Sequence, residues 1–354
     1  MRRDDRPPLT EKEAYKKALK RGTRYRVPSV NPAVVILAVI LVAIIIVCIA
    51  VIATRDGAGD PAETVTTTVI TTEEKTDGIT VKLARDDVHR GNLILVNSDH
   101  EYVFPSTPTD VSVYDNKTIS YKVNDKKVTM SMVTIEAFNR LMDDFYAETG
   151  CRDVMVVSGF RTEEFQRQLY ADRVASEGVE AAAKYVALPG QSEHHTGLAM
   201  DLSVYTDSGE GYAVRTYERC RWLVENFENY GFILRYPEDK ANITGISYES
   251  WHYRYVGTPH SLIMKEQDLV LEEYVESLQC LGEGRAILWD GEFSYEGSLT
   301  DSDAYTAVYY VPAAESGDTT ITVPEGREYT VSGDNVGGFI VTLLPTNGGN
   351  INEH

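Results

Sequence analysis

The sequence is poor in the residues that most often carry reaction chemistry. Histidine occurs seven times and cysteine four times in 354 residues. No two cysteines stand in a CxxC pair, so cysteine-based metal binding is not expected. Cys48 sits in an apolar run, which leaves Cys151, Cys220 and Cys280, an odd number that defines no full disulfide framework. Three free thiols, or one bridge and one free thiol, both satisfy that count. A phosphate-cradling glycine loop and a dinucleotide fingerprint are both missing. Repeats with periods of about 20–50 residues are missing too, which excludes solenoids and propellers. Positive charge is also short: 34 Lys and Arg face 54 Asp and Glu, a net charge of −20. That acidity argues against nucleic acid or another anionic polymer as an electrostatically held partner.

The shortage of positive charge is uneven. Residues 1–32 hold ten Lys and Arg against four acids, and the rest holds 24 against 50. Next comes AVVILAVILVAIIIVCIAVIA, residues 33–53, with no charge at all. Twenty-one helical residues span about 31 Å, enough to cross a bilayer core. The run exceeds the roughly 7–15 residues of a cleaved signal core. Bulky Val47 ahead of Cys48 argues against a lipidated cysteine. The positive-inside rule then predicts a cytoplasmic tail at 1–32, one transmembrane helix at 33–53 and an extracytoplasmic remainder.

Residues 54–85, rich in Thr, Gly and acids, read as a stalk. GNLILVNSDHEYVF (91–104) reads as a short strand and a polar turn. From Thr134 the spacing predicts a helix that buries Ile135, Phe138, Leu141, Met142 and Phe145 and stops at Gly150. DVMVVSGF (153–160) is an expected buried strand, and 162–178 an expected helix with Thr162 as its N-cap. Further helices are expected at 217–231 and 262–281. Residues 283–346 change texture to short alternating strands, an accessory β module, before a polar tail at 347–354. That module reads as packing, with contact to glycan or a partner as the alternative. No feature sets an oligomeric state.

Three of the seven histidines fall in two segments that also hold unusual acids. In TGLAMDLSV, strand alternation sends Leu198, Met200, Leu202 and Val204 to one face and Asp201 to the other. A carboxylate there must be paired or bound to a metal. In SYESWHYRYVG, His252 and Arg254 share a face opposite Trp251, Tyr253 and Tyr255; Trp251 is read as packing. Glu249 strictly falls opposite His252, so the two reach one site only if the backbone bends between them. Two imidazoles and one carboxylate form a set of the catalytic zinc kind, with a fourth position left for water. Glu249 is the candidate base for that water, and Arg161 in SGFRT the candidate partner of a developing oxyanion. Arg235 and Tyr236 in LRYP fit either a substrate carboxylate or a structural role.

These residues carry a family resemblance. SEHHTGLAMD matches the S-x-H-x-x-G-x-A-x-D pattern of the VanY-type zinc carboxypeptidases, which trim peptidoglycan stem peptides. ESWH matches their E-x-W-H pattern, SGFRT resembles their S-x-[YF]-R segment, and GNLILVNSDH is similar to their usual domain start. The similarity covers about residues 86–262, in the family's order, within a catalytic domain placed at 86–282. It implies an α+β fold of the hedgehog/D,D-peptidase type, with helices packed on an antiparallel sheet. It implies Zn²⁺ held by His194, Asp201 and His252, with Glu249 as general base and Arg161 polarising the carbonyl. Ser192 and Gln168 would line the site, and His195 falls at a variable position. The implied activity is removal of the terminal D-Ala from a stem pentapeptide by a bacterial, membrane-anchored enzyme. L,D-cleavage of the tetrapeptide is the alternative. A non-catalytic, zinc-stabilised wall-binding or signalling module is the reading from another class.

Overall fold

The computed structural model describes residues 78–346. The expected tail 1–32, membrane helix 33–53, stalk residues 54–77 and polar tail 347–354 lie outside the described residues. Among the described residues no helix is long and apolar enough to cross a membrane.

A six-stranded sheet forms the centre of the α+β fold. Its path runs Lys122–Val123, Val154–Ser158, Ala199–Tyr205, His252–Tyr255 and Phe232–Leu234, with Gly211–Tyr212 paired to the end of Ala199–Tyr205. Every pairing is antiparallel except the edge pair of Lys122–Val123 with Val154–Ser158. The expected antiparallel sheet is therefore mixed at one edge. The cause is the helix Met132–Thr149 between those two strands, a crossover that returns the chain in the same direction. This helix presents Ile135, Phe138, Leu141, Met142 and Phe145 to the sheet, all fully buried against Met200, Leu202 and Val204. It ends where Gly150 takes a left-handed φ of 64°. The helix Glu163–Glu177 starts as expected, the Thr162 hydroxyl accepting from the Phe165 amide at 3.1 Å.

Several expectations are corrected. The predicted strand near 91–104 does not form. Leu93–Val96 are buried in an irregular segment whose amides bond elsewhere, Leu93 to the Ser332 hydroxyl and Leu95 to the Asp334 carbonyl. Helix 217–231 shrinks to Arg221–Asn226 between short 3-10 turns. Helix 262–281 divides into His260–Glu266 and Leu271–Gln279, with Asp268 at a left-handed φ of 53° between them. The end of the stalk is also folded. Gly78–Leu83 pairs along its whole length with Thr319–Pro324, and Val81 and Leu83 pack on the C-terminal core.

The C-terminal strands form a five-stranded antiparallel sheet, in the order Ser294–Ser298, Arg285–Trp289, Thr306–Pro312, Gly338–Leu343, Tyr329–Gly333. It is not set apart from the rest. One apolar cluster joins Ile287, Trp289, Val308 and Ile340 of this sheet to Ile263, Leu271, Leu278 and, beyond them, Leu93, Ile233 and Val256. Cys151 and Cys220 are buried in the apolar core of the central sheet, whereas Cys280 is exposed; none is bridged.

His260 ties these layers together. Its Nδ1 lies 2.9 Å from the Tyr274 hydroxyl and its Nε2 3.2 Å from the Thr342 hydroxyl. Burial pushes this imidazole from 6.5 down to about 3. The unfolded chain therefore binds the proton more tightly, and acid favours unfolding. The contribution is complete above pH 6.5 and falls by about 1.4 kcal/mol per pH unit as pH drops toward 3. His260→Gln should lose this part of the acid dependence. Urea unfolding between pH 6.5 and 4.5 measures it, and parallel stability–pH curves for the two proteins would contradict the assignment.

Candidate metal centre and active-site cleft

Sheet register brings the site together. Asp201 lies opposite His252 on one neighbouring strand and Ser158 on the other, beside a β-bulge between Val156 and Ser158. His194 arrives from a 3-10 turn, Glu193–Thr196, directly before the Asp201 strand. Gly197 closes that turn at φ 69°, and a Cβ there would sit 2.0 Å from Asp110 Oδ1, so the position requires glycine. The bend demanded between Glu249 and His252 is present. The His252 amide bonds the Glu249 carbonyl at 3.2 Å in a turn, and the strand begins only at His252.

His194 Nε2 and His252 Nδ1 each lie 3.3 Å from Asp201 Oδ1. One atom from each of the three residues falls within 4.8 Å of the others. His194 Nδ1 stands 2.6 Å from the Gly159 carbonyl, which can only accept. That fixes the proton on Nδ1 and leaves the Nε2 lone pair aimed inward. His194 Nε2 and Asp201 Oδ1 are buried and have no hydrogen-bond partner. Buried polar atoms are rarely left unpaired, and two orphans facing one point fit a cation. Neutral imidazole and carboxylate donors with an open position suit zinc.

The charges around the three are arranged to match. Burial pushes the Glu249 carboxyl up, and Asp201 adds to it, so it reaches about 7 despite His252 and Arg161. Its Oε2 lies 3.5 Å from His252 Nδ1. Arg161 donates to Asp201 Oδ2 at 2.5 Å and to the Ser158 hydroxyl at 3.0 Å. Burial pushes His194 down to about 4, with Arg161 adding to the effect. Burial also lowers His252, but the nearby carboxylates of Asp201, Glu193 and Glu249 prevail and raise it to about 9.

A cleft of about 450 Å³ opens onto this group. Ser192, His194, Asp201, Glu249, His252 and Arg161 all line it. Gln168 does not. It lies on the exposed face of its helix and donates to Asp172, while Gln166, two residues earlier, is buried in the cleft wall and donates to the Ala187 carbonyl at 2.9 Å. A shift of two residues turns a side chain about 200° around a helix. Trp251 is not packing: it is 39% exposed and lines the cleft. Tyr236 lines it too, and Arg235 is fully buried behind it. His195 is buried and satisfied, with Nδ1 2.7 Å from the Arg161 carbonyl and Nε2 accepting from the Gly190 amide at 3.1 Å.

Sequence reasoning missed Glu193, between Ser192 and His194. It is 1% exposed. Its Oε1 accepts from Arg235 Nε and Arg254 Nη1, both at 2.7 Å. Its unpartnered Oε2 stands 3.5 Å from the equally unpartnered His252 Nε2. Burial pushes this carboxyl up, but the two guanidinium groups overcome it and hold Glu193 well below the usual carboxylate range. Arg235 continues the chain to Glu272 through two bonds, at 2.9 and 2.6 Å. A serine–acid–histidine run offers no sign by itself that the acid points backward.

Comparison with known proteins agrees with this geometry. Residues 127–258 match the VanY model, described as D-alanyl-D-alanine carboxypeptidase. An Enterococcus faecium D-alanyl-D-alanine carboxypeptidase is 35% identical over 280 residues, covering 77% of this chain and 80% of that protein. The chain belongs to the VanY D-alanyl-D-alanine carboxypeptidase family. Another member, the bifunctional D-Ala-D-Ala dipeptidase and carboxypeptidase VanXYC of Enterococcus gallinarum, is 44% identical over 130 residues, 36% of this chain and 68% of that one. Among solved structures, the vancomycin-resistance D,D-dipeptidase VanXYg in complex with a D-Ala-D-Ala phosphinate analogue matches with a TM-score of 0.63. It is 31% identical and covers 75% of this chain and 98% of that one.

Proposed function

We propose that this family member is a zinc D,D-carboxypeptidase that removes the terminal D-alanine from peptidoglycan stem peptides. The observation that carries the reading is the pair of buried orphans, His194 Nε2 and Asp201 Oδ1, converging with His252 Nδ1 beside a carboxyl held near 7. His194, Asp201 and His252 would hold the ion. When bound, zinc supplies Lewis acidity that acidifies a water molecule and polarises a carbonyl. Glu249 takes the proton from the attacking water and passes it to the leaving amine, a role suited to a carboxyl near 7. Arg161, held beside Asp201, steadies negative charge on the scissile carbonyl oxygen. Ser192 and Gln166 shape the cleft around the bond.

The uncharged run at 33–53 supports an anchor that leaves residues 1–32 in the cytoplasm and the catalytic domain outside the cell. On that reading the anchor keeps an acidic enzyme close to the wall. A purely structural zinc site would need neither Glu249 nor Arg161, which disfavours a non-catalytic module. The full chain, loaded with zinc, should release D-Ala from a stem pentapeptide, and a chelator should abolish release reversibly. Mass spectrometry of pentapeptide and tetrapeptide digests checks this. Release from the tetrapeptide alone would convert the reading to L,D-specificity, and no release from either would overturn it.

A further inference from the structure

A carboxypeptidase must recognise the free carboxylate at the end of its substrate, and this chain has a net charge of −20. A cation fixed in the cleft would favour the anionic end. Four arginines stand near the site. Arg235 and Arg254 are fully buried and spend their charge on Glu193, with Glu272 as a second partner of Arg235. Arg161, bonded to Asp201 and Ser158, is assigned above to the scissile carbonyl oxygen. That leaves Arg173, which lines the same cleft and which the sequence motifs do not mark.

Arg173 is placed by helix geometry. Gln166, Leu169 and Arg173 repeat along one face of Glu163–Glu177, and all three line the cleft. Helical side chains lean toward the N-terminus, which here is the end that carries Arg161. Arg173 lines the cleft together with Arg161, Glu249 and His252, on the substrate side of the reacting centre. Its guanidinium stands 5.6 Å from the centre of the Tyr185 ring. Its only ionic partner among the described residues is Glu177, in an i,i+4 surface pair at 2.9 Å with side chains 38% and 42% exposed. Such pairs contribute little and exchange readily. That pair runs through the Arg173 Nε, a buried atom that is not aligned for a hydrogen bond with Glu177. This is a cation held in place by an aromatic ring, short of hydrogen bonds and facing the cleft.

We propose that Arg173 is the specificity-determining residue that receives the terminal carboxylate of the leaving D-alanine. The inference rests on the carboxypeptidase reading above. Glu177 yields its place to the substrate carboxylate, and the Tyr185 ring keeps the guanidinium plane in position.

Steady-state kinetics of the zinc-loaded full chain on a stem pentapeptide test it. Arg173→Gln should raise KM about tenfold or more and change kcat by less than about threefold, with Arg173→Lys in between. N-acetyl-D-Ala-D-Ala and its C-terminal carboxamide supply a second readout through Ki. Wild type should prefer the carboxylate by about tenfold, and Arg173→Gln should bind the two alike. Thermal unfolding should be unchanged, since the side chain is partly exposed. An unchanged KM, or a carboxylate preference that survives in Arg173→Gln, overturns the inference while leaving the enzyme reading intact. A KM effect seen only with free side-chain carboxylates in the stem, and lost when they are amidated, also overturns it. Wild type that releases no D-Ala overturns the enzyme reading itself.

Discussion

Glu249→Gln should retain one zinc per chain and lose about 10²–10⁴ in kcat for D-Ala release, the range a positioned general base contributes. The substitution keeps shape and removes only the proton-accepting oxygen. Glu249 is not one of the three residues whose donor atoms converge, so the ion should stay. Burial is the main reason its carboxyl sits near 7, with Asp201 adding to it. A base with that affinity holds a water proton well enough to take it and loosely enough to release it. Metal analysis beside single-turnover kinetics separates the possible outcomes. Zinc lost in step with activity would make Glu249 a ligand, and kcat within tenfold of wild type would remove it from proton transfer.

The inward face of Asp201 is legible in local alternation, whereas the set His194, Asp201 and His252 is implied by the family resemblance and is brought together in the structure. Strand alternation predicts that Asp201 faces away from Leu202 and Val204, and the structure pairs it with His252 across the sheet. Alternation could not place Glu249, because the turn that swings it beside His252 follows no strand period. The Met132–Thr149 helix was legible for the same local reason, through its 3.6-residue apolar spacing and terminal glycine. What escaped depends on distant partners. Leu93–Val96 look like a strand by composition, but their bonding partners lie more than 230 residues away, on Ser332 and Asp334. The C-terminal strands read as a separate module because each alternates by itself. Their fusion with the catalytic half depends on helices His260–Glu266 and Leu271–Gln279 filling the space between. Gln168 was misplaced because a motif names a neighbourhood, whereas the helix selects which residue faces the cleft.

Glu193 is where fold and site meet, and its replacement should show both. Glu193→Gln leaves Arg235 with Glu272 but takes from Arg254 its one carboxylate partner among the described residues, and the other Arg254 bonds go to the carbonyls of Asn92, Ile94 and Tyr255. Breaking one side of such a buried pair costs about 3–5 kcal/mol, visible as a shift in the urea midpoint. The second effect is on the metal. For His252 to offer Nδ1 it must keep its proton on Nε2, and Glu193 Oε2 is the acceptor facing that atom. Removing the charge should weaken zinc binding about 10–100-fold, read by competition with a chromogenic chelator. The double variant Glu193→Gln with Arg254→Met tells the two apart. Taking away the stranded guanidinium should restore much of the stability, because a buried pair replaced on both sides costs little. It should not restore zinc affinity, because the acceptor facing His252 is still neutral. If affinity recovers together with stability, Glu193 holds the fold and has no separate hold on the ligand.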